Sequence, residues 1–287
     1  MQAGSRKDYG YNWFSGSWGT GAAGRWGAEM SKEVCALAIM AKASIAGTVK
    51  TRLVPPLTYE EAAELNTCCL ADIATNVMAA AVSAPIRSFV AYAPLGSETF
   101  FAGVLPDSFE LLPPREPTIG RSLRHAANDL LAAGYRSVCL VNADSPTLPT
   151  ALVTEAVHHL RQPGDRVVLG PAADGGYYLI GLKNFHERLF EAIDWSTDRV
   201  YRQTLGRAQE IDVEVVTLPE WYDVDDNQTL ATLVDELLGG SVAYKGGYSA
   251  QKVTAFLRKL AEKKGGVERL LGRELRLLIG SARVGEG

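Results

Sequence analysis

Within the stretch from Val34 to Leu53, VCALAIMAKASIAGTVKTRL, a short apolar run breaks into a loop that carries Lys42, Gly47, Lys50, Thr51 and Arg52. The apolar run has the length and character of a β-strand. Three cations, a hydroxyl and a glycine directly after it suit the oxygens of a phosphate or diphosphate. The carboxyl end of a first strand is also where an open α/β sheet holds a phosphorylated ligand. Solvated surface loops share this composition, so the reading gains weight only if acidic, metal-capable positions follow later strands.

Such positions exist. Asp144 closes a second apolar run and precedes Ser145-Pro146, which cannot continue a strand ladder, so its carboxylate is expected at the carboxyl edge of the sheet. It can hold Mg²⁺ or Mn²⁺ against a diphosphate there, or simply bond to its own turn. Asp223 and Asp225 alternate along the end of an extended segment and so share a face, with Asp226 placed to cap the next helix. Converging with Asp144, they would form an oxygen-rich divalent-cation site. Asp174-Gly175-Gly176 differs in kind. Asp-Gly favours a hairpin turn, two glycines let the backbone approach a ligand, and the acid can accept hydrogen bonds from a sugar or other polyol.

The elements that must position these residues follow from periodicity. Thr58 to Val82 reads as a helix capped by Thr58, with Leu65, Cys69, Ile73 and Val77 at helical spacing. Strands are predicted at Ile86 to Tyr92, Phe109 to Leu112, Ser137 to Val141, Arg166 to Leu169, Tyr177 to Gly181 and Val213 to Leu218. Helices are predicted at Thr118 to Ala133, closed by Gly134, and at Pro149 to Leu160, Thr197 to Ala208 and Asn227 to Leu238. Alternation of strands with helices predicts a mostly parallel central sheet covered on both faces.

Composition sets the outer bounds. The 287 residues, 47% hydrophobic, are ample for a sizeable core. A net charge of -4 argues against a nucleic-acid binder that relies on overall positive charge. That balance is uneven: the segment from Ser241 to Gly287 carries +6, which leaves -10 on the preceding 240 residues, where the candidate chemistry lies. Cys35, Cys68, Cys69 and Cys139 show no C-x-x-C or zinc-finger spacing, and buried reduced thiols in a cytoplasmic protein account for them most simply. The sequence contains no apolar run long enough to span a bilayer.

Residues 1–29 are rich in Gly, Ser and Trp and read as a disordered extension, with Met30 as an alternative start. Gly19, Gly21 and Gly24 spell G-x-G-x-x-G there, but no strand precedes them and no helix opens after them, so a dinucleotide fingerprint is not supported. The division expected is therefore 1–29 as extension, 30–238 as the main domain, 239–248 as linker and 249–287 as a basic helical tail broken near Gly265 and Gly266. In the tail, Val253, Phe256, Leu257 and Leu260 form an apolar stripe among Lys252, Arg258, Lys259, Lys263 and Lys264. The stripe suits packing on the chain's own acidic domain, contact with an acidic protein partner, or peripheral contact with an anionic membrane. His125, His158, His159 and His186 fall on or beside predicted helices, and no G-x-S-x-G elbow suggests a hydrolase.

Four motifs taken in order, AKASIAGTVKTRLVPPL, VNADSPTLP, GPAADGGYYLIGL and WYDVDD, resemble the DUF2064 proteins, also called the selenodomain-associated transferase 1 family. That family lies within the GT-A nucleotide-diphospho-sugar transferase superfamily, and the resemblance runs from about Val34 to Leu238. It implies a three-layer α/β/α, Rossmann-like GT-A fold, to which this chain adds its basic helical extension. It places Lys42, Gly47, Lys50, Thr51 and Arg52 near the nucleotide phosphates, and Asp144 and Asp225, with Asp223, on a divalent cation. The Asp174-Gly175-Gly176 turn, with Tyr177 after it, falls beside the sugar or acceptor. Catalytic roles are expected for Lys50 and, as proton acceptor, Asp174. The family usually has Pro where Ser44 stands and Gly where Asn142 stands, and Asn142 is expected to reshape the nucleotide pocket.

Two reactions are compatible with that architecture. In glycosyl transfer from a nucleotide-sugar, the divalent ion stabilises the departing nucleoside diphosphate while a small-molecule acceptor hydroxyl attacks the anomeric carbon. In nucleotidyl transfer, ion and cationic loop stabilise attack by a phosphorylated acceptor on the α-phosphorus of a nucleoside triphosphate. The family name favours the first, whereas Lys50-Thr51-Arg52-Leu53 resembles the loop of phospholactate guanylyltransferases and favours the second. A non-catalytic nucleotide-binding protein is the third reading.

Overall fold

The computed structural model describes residues 33–115, 118–239 and 246–263. The extension at 1–29 with Met30, most of the expected linker, and the tail beyond Lys263 lie outside them. Eight residues of almost unbroken apolar character make the first strand, β1 (Cys35–Lys42). Its alternation divides the interior. Cys35, Leu37 and Ile39 pack on one face of the sheet, while Ala36 and Ala38 pack on the other. The remaining strands are β2 (Ile86–Ala93), β3 (Glu110–Leu112), β4 (Ser137–Asn142), β5 (Arg166–Pro171), β6 (Tyr177–Leu182) and β7 (Glu214–Thr217).

These strands form one sheet in the order β3-β2-β1-β4-β6-β5-β7. All neighbours run parallel except β6, which is antiparallel to both β4 and β5. The exception follows from chain length: only Ala172 to Gly176 joins β5 to β6, enough for a hairpin and far too short for a crossover. From β1 the chain winds outward through β2 and β3, then returns to place β4 on the other side of β1. The loops leaving β1 and β4 therefore diverge and open a crevice at the carboxyl edge.

Helices cover both faces. On the first lie α1 (Tyr59–Ala81), α2 (Glu98–Val104), α4 (Thr150–Arg161), α6 (Asn227–Val234) and α7 (Gln251–Glu262); on the second lie α3 (Ile119–Ala132) and α5 (Val200–Glu210). The expected Thr58 cap forms a reciprocal box, its hydroxyl accepting from the Glu61 amide at 3.2 Å and its own amide donating to Glu61 Oε2 at 3.0 Å. Leu65, Cys69, Ile73 and Val77 are buried as their spacing requires. Gly134 takes φ 96° after α3, the left-handed closure that glycine provides. Helix α2 was not expected from the sequence, since seven residues are too few to show helical periodicity.

Of the readings open for the tail, packing on the chain's own domain describes its first helix. Val253, Phe256, Leu257 and Leu260 are all buried within the main core, so this stripe is not available to a membrane or an acidic partner. It packs against α1, whose Asp72 accepts from the amides of Lys252 at 3.0 Å and Val253 at 2.8 Å. A carboxylate at the amino end of α7 satisfies two amides that the helix cannot bond internally and meets the positive end of its dipole. Lys259 and Lys263 then pair with Glu64 and Glu61 of α1. Replacing Asp72 with Ala leaves those amides without their acceptor. Urea unfolding is expected to register a loss of about 1–3 kcal/mol.

Candidate active site

The loop after β1 is anchored by the buried Val49 and Leu53, so the residues between them are held rather than free. Lys50 adopts a left-handed backbone, φ 46° and ψ 37°, just before a single 3₁₀ turn at Thr51–Leu53. Its side chain, only 2% exposed, points into the sheet edge, not out towards solvent. The ammonium donates to Asp144 Oδ1 at 2.5 Å and to the Val224 carbonyl at 2.9 Å, and stands 3.9 Å from Asp225 Oδ1. Burial works against this charge, yet Asp144, with Asp225, outweighs it and holds the ammonium pKa above its ordinary value. Burial in turn pushes the Cys69 thiol up to about 12, so it stays neutral beside the lysine.

Asp144 lies two residues beyond β4, in a loop pinned from below. Asn76 of α1, fully buried, donates to the Leu148 carbonyl at 2.6 Å and accepts from the Thr150 hydroxyl at 2.5 Å. Thr147 donates to the Tyr222 hydroxyl at 3.1 Å, knitting this loop to the segment that carries the other acids. That segment runs back across the sheet edge: Trp221 bridges to Ala172, and the Val224 amide donates to the Asp144 carbonyl at 2.9 Å. Val224 is fully buried, so its neighbours Asp223 and Asp225 turn to the opposite side together. Asp226 is occupied elsewhere, accepting from the Thr229 amide at 2.9 Å as the cap of α6.

Negative charge is in excess here. Asp223 is pushed up to about 7, first by burial and then by Asp174, Asp225 and Asp144. Asp225 is raised by burial and by Asp144, with Lys50 opposing. Carboxyl groups that hold protons so tightly mark a site short of positive charge.

A cleft of about 400 Å³ opens over this edge. It is lined by Lys50, Thr51, Arg52 and Asp225, and by Asp174 with Ser196, Thr197 and Asp198. Asp174 is fixed by its own turn, Oδ1 accepting from the Gly176 amide at 2.8 Å. Gly175 has φ 88°, and a Cβ there would fall 2.3 Å from the Asp198 carbonyl oxygen, so only glycine lets the two loops meet. A second recess, about 440 Å³, is lined by Tyr135, Arg136, Lys183 and Phe185, near the opposite end of β4 and away from these acids.

Several expected site residues are not brought to the cleft. Lys42 is exposed at the end of β1 and does not line it; its carbonyl accepts from Asn66 at 3.2 Å. Gly47 is also exposed, with φ 79°, and serves the loop's turn. Tyr177 turns into the protein, where its hydroxyl is enclosed without a hydrogen-bond partner and burial raises its pKa. Residue parity explains this, since the first residue of β6 projects to the α3 and α5 side. Lys50 meets carboxylates, not open space. The polar run Ser196-Thr197-Asp198 was missed, and its sequence signal was faint: three small polar residues between Trp195 and a helix. Among the described residues, no three His, Cys, Asp or Glu side chains stand together in a metal-ligating group.

The doubly wound sheet, with its crevice between β1 and β4, defines a Rossmann-like α/β protein of the kind expected. The model of the DUF2064 family, described as uncharacterised proteins conserved in bacteria, matches residues 76–197. The family likeness seen in the motifs is thus shown for the segment containing Asp144 and Asp174. A protein from Desulfovibrio desulfuricans G20, whose own description as a nucleotide-diphospho-sugar transferase is provisional, superposes with a TM-score of 0.66. It is 26% identical, and the match covers 86% of this chain and 97% of that one. A cytidylyltransferase from Leptospira borgpetersenii serovar Hardjo-bovis superposes more loosely, with 12% identity, a TM-score of 0.48, and 79% and 94% of the two chains covered. Only the first is similar enough to bear on function. No curated protein matches the sequence.

Two outcomes follow from this geometry. Gly175→Ala is expected to cost about 1–3 kcal/mol in denaturant unfolding, because it adds a clash to an unfavourable φ. Asp223 binds its proton more tightly folded than unfolded, so the folded protein loses stability as pH rises from about 4 to about 7. Asp223→Asn should remove up to about 4 kcal/mol of that fall, read from melts across the same range.

Proposed function

We propose that the protein is a transferase that uses a nucleotide-sugar donor and passes the sugar to a small-molecule acceptor. The observation that carries this reading is the meeting of Lys50 and Arg52 with Asp144, Asp174 and Asp225 at one crevice of the sheet. The likeness to the Desulfovibrio protein supports the same class. The four cysteines are free and no helix among the described residues is long and apolar enough to cross a membrane, and both fit the cytoplasmic location we propose.

Arg52 and Thr51, exposed on the cleft wall, are placed to take the donor's diphosphate oxygens. Asp144, Asp225 and Asp223 would offer an ion carboxylate oxygens only, and the raised proton affinity of Asp223 and Asp225 suits Mg²⁺ or Mn²⁺. Such an ion would neutralise charge gathering on the diphosphate as it departs. Asp174, held by its turn at the same cleft, is the group we assign to accept the proton of an acceptor hydroxyl. The depth at which Lys50 and Leu53 are anchored keeps the loop's amides and cations in register with those acids.

A second reading, nucleotidyl transfer from a nucleoside triphosphate to a phosphorylated acceptor, draws on the presence of both Lys50 and Arg52 at the same cleft. The two separate by product: only the second releases pyrophosphate. In a screen with Mn²⁺, a nucleoside diphosphate or nucleotide-sugar is expected to raise the melting temperature. Asp174→Asn is expected to lower kcat roughly a hundredfold or more while donor affinity holds. Stabilisation by nucleoside triphosphates alone, with pyrophosphate produced, would overturn the glycosyl assignment in favour of the second.

A further inference from the structure

We propose that the Lys50 ammonium is the resident cation of the Asp144 and Asp225 carboxylates, and that it and a divalent ion exclude one another from that place. The inference rests on the reading of those two acids as the ion's ligands. Its basis is geometric. One nitrogen lies 2.5 Å from Asp144 Oδ1, 2.9 Å from the Val224 carbonyl and 3.9 Å from Asp225 Oδ1. These are the oxygens an ion between the two acids would require, and Mg²⁺ or Mn²⁺ approaches oxygen to about 2 Å. An ion seated there would touch the ammonium, and two positive charges at that separation inside a protein repel strongly. The lysine is fixed in this place: its side chain is 2% exposed, and the segments that carry Asp144 and Val224 both bond it.

Lys50 begins the turn that lines the cleft, so release from Asp144 carries its ammonium towards the space where a donor diphosphate would lie. The exchange moves one positive charge from the acids to the phosphates while the ion takes its place. Without nucleotide the displaced ammonium has no phosphate to meet it, and the ion binds poorly. Arg52, already exposed on the same wall, has no part in the exchange.

Mn²⁺ binding to the full-length wild type, to Lys50→Met and to Lys50→Met/Asp144→Asn, followed by the free-ion EPR signal without nucleotide, tests this. Lys50→Met is expected to bind roughly tenfold tighter or better, and the added Asp144→Asn to cancel the gain. Equal affinity in wild type and Lys50→Met would overturn the exclusion while leaving the acids as ligands. Binding by none of the three would overturn both the exclusion and the ligand reading. Because Lys50→Met leaves acids uncompensated and can impair folding, NMR of lysine ammonium groups supplies a second measure. Wild type should show one protected, slowly exchanging ammonium that disappears in Asp144→Asn and on saturation with Mg²⁺. A protected signal that persists unchanged with Mg²⁺ bound, or no such signal in the metal-free protein, would overturn the proposal.

Discussion

A buried ammonium facing two carboxylates is the constraint around which the site is organised. Lys50 reaches Asp144 across 94 residues of sequence and Val224 across 174. Removing a charge from water is costly unless partners are fixed in advance. Here the partners are fixed by other bonds: Val224 donates its amide to the Asp144 carbonyl while its own carbonyl receives the lysine. Three loops are thereby tied at one point, and the position of each is set by the other two.

The sheet explains why that point falls where it does. Reversal of winding between β1 and β4 leaves an opening, and the loops carrying Lys50 and Asp144 border it. The hairpin between β5 and β6 and the return segment from Trp221 to Asp225 bring further acids to the same rim. Cation and anions lie far apart along the chain, so the charge balance of the rim exists only in the folded state. The raised proton affinity of Asp223 and Asp225 is the residue of that balance, since one lysine does not offset all the acids gathered there.

Much of the fold could be read from residue order because the governing interactions are local. The Thr58 cap, the stripe on α1, the closing glycine of α3 and the alternation of β1 each depend on neighbours a few positions away. Asp144 and Asp225 were legible for the same reason, as acids ending extended segments. What was not legible depends on tertiary partners. Whether Lys42 or Lys50 enters the crevice is decided by Leu53 and Val49 anchoring the later part of the loop. Tyr177 was assigned to the ligand side from its place beside the glycines, whereas strand parity turns it inward. Ser196, Thr197 and Asp198 gain their position only from the contact between Gly175 and Asp198.

The clasp between Asp72 and the start of α7 alters where the smallest self-sufficient piece of this protein ends. A fragment cut at residue 238 would keep every residue of the cleft, yet strip one flank of α1 and bare the apolar ground on which Phe256, Leu257 and Leu260 rest. Shortened forms should therefore tend to self-associate, and α1 is also the helix whose Asn66 and Asn76 brace the loops after β1 and β4. The terminal helix thus acts at a distance as a buttress, and fusion tags or crystallisation boundaries are best placed beyond it.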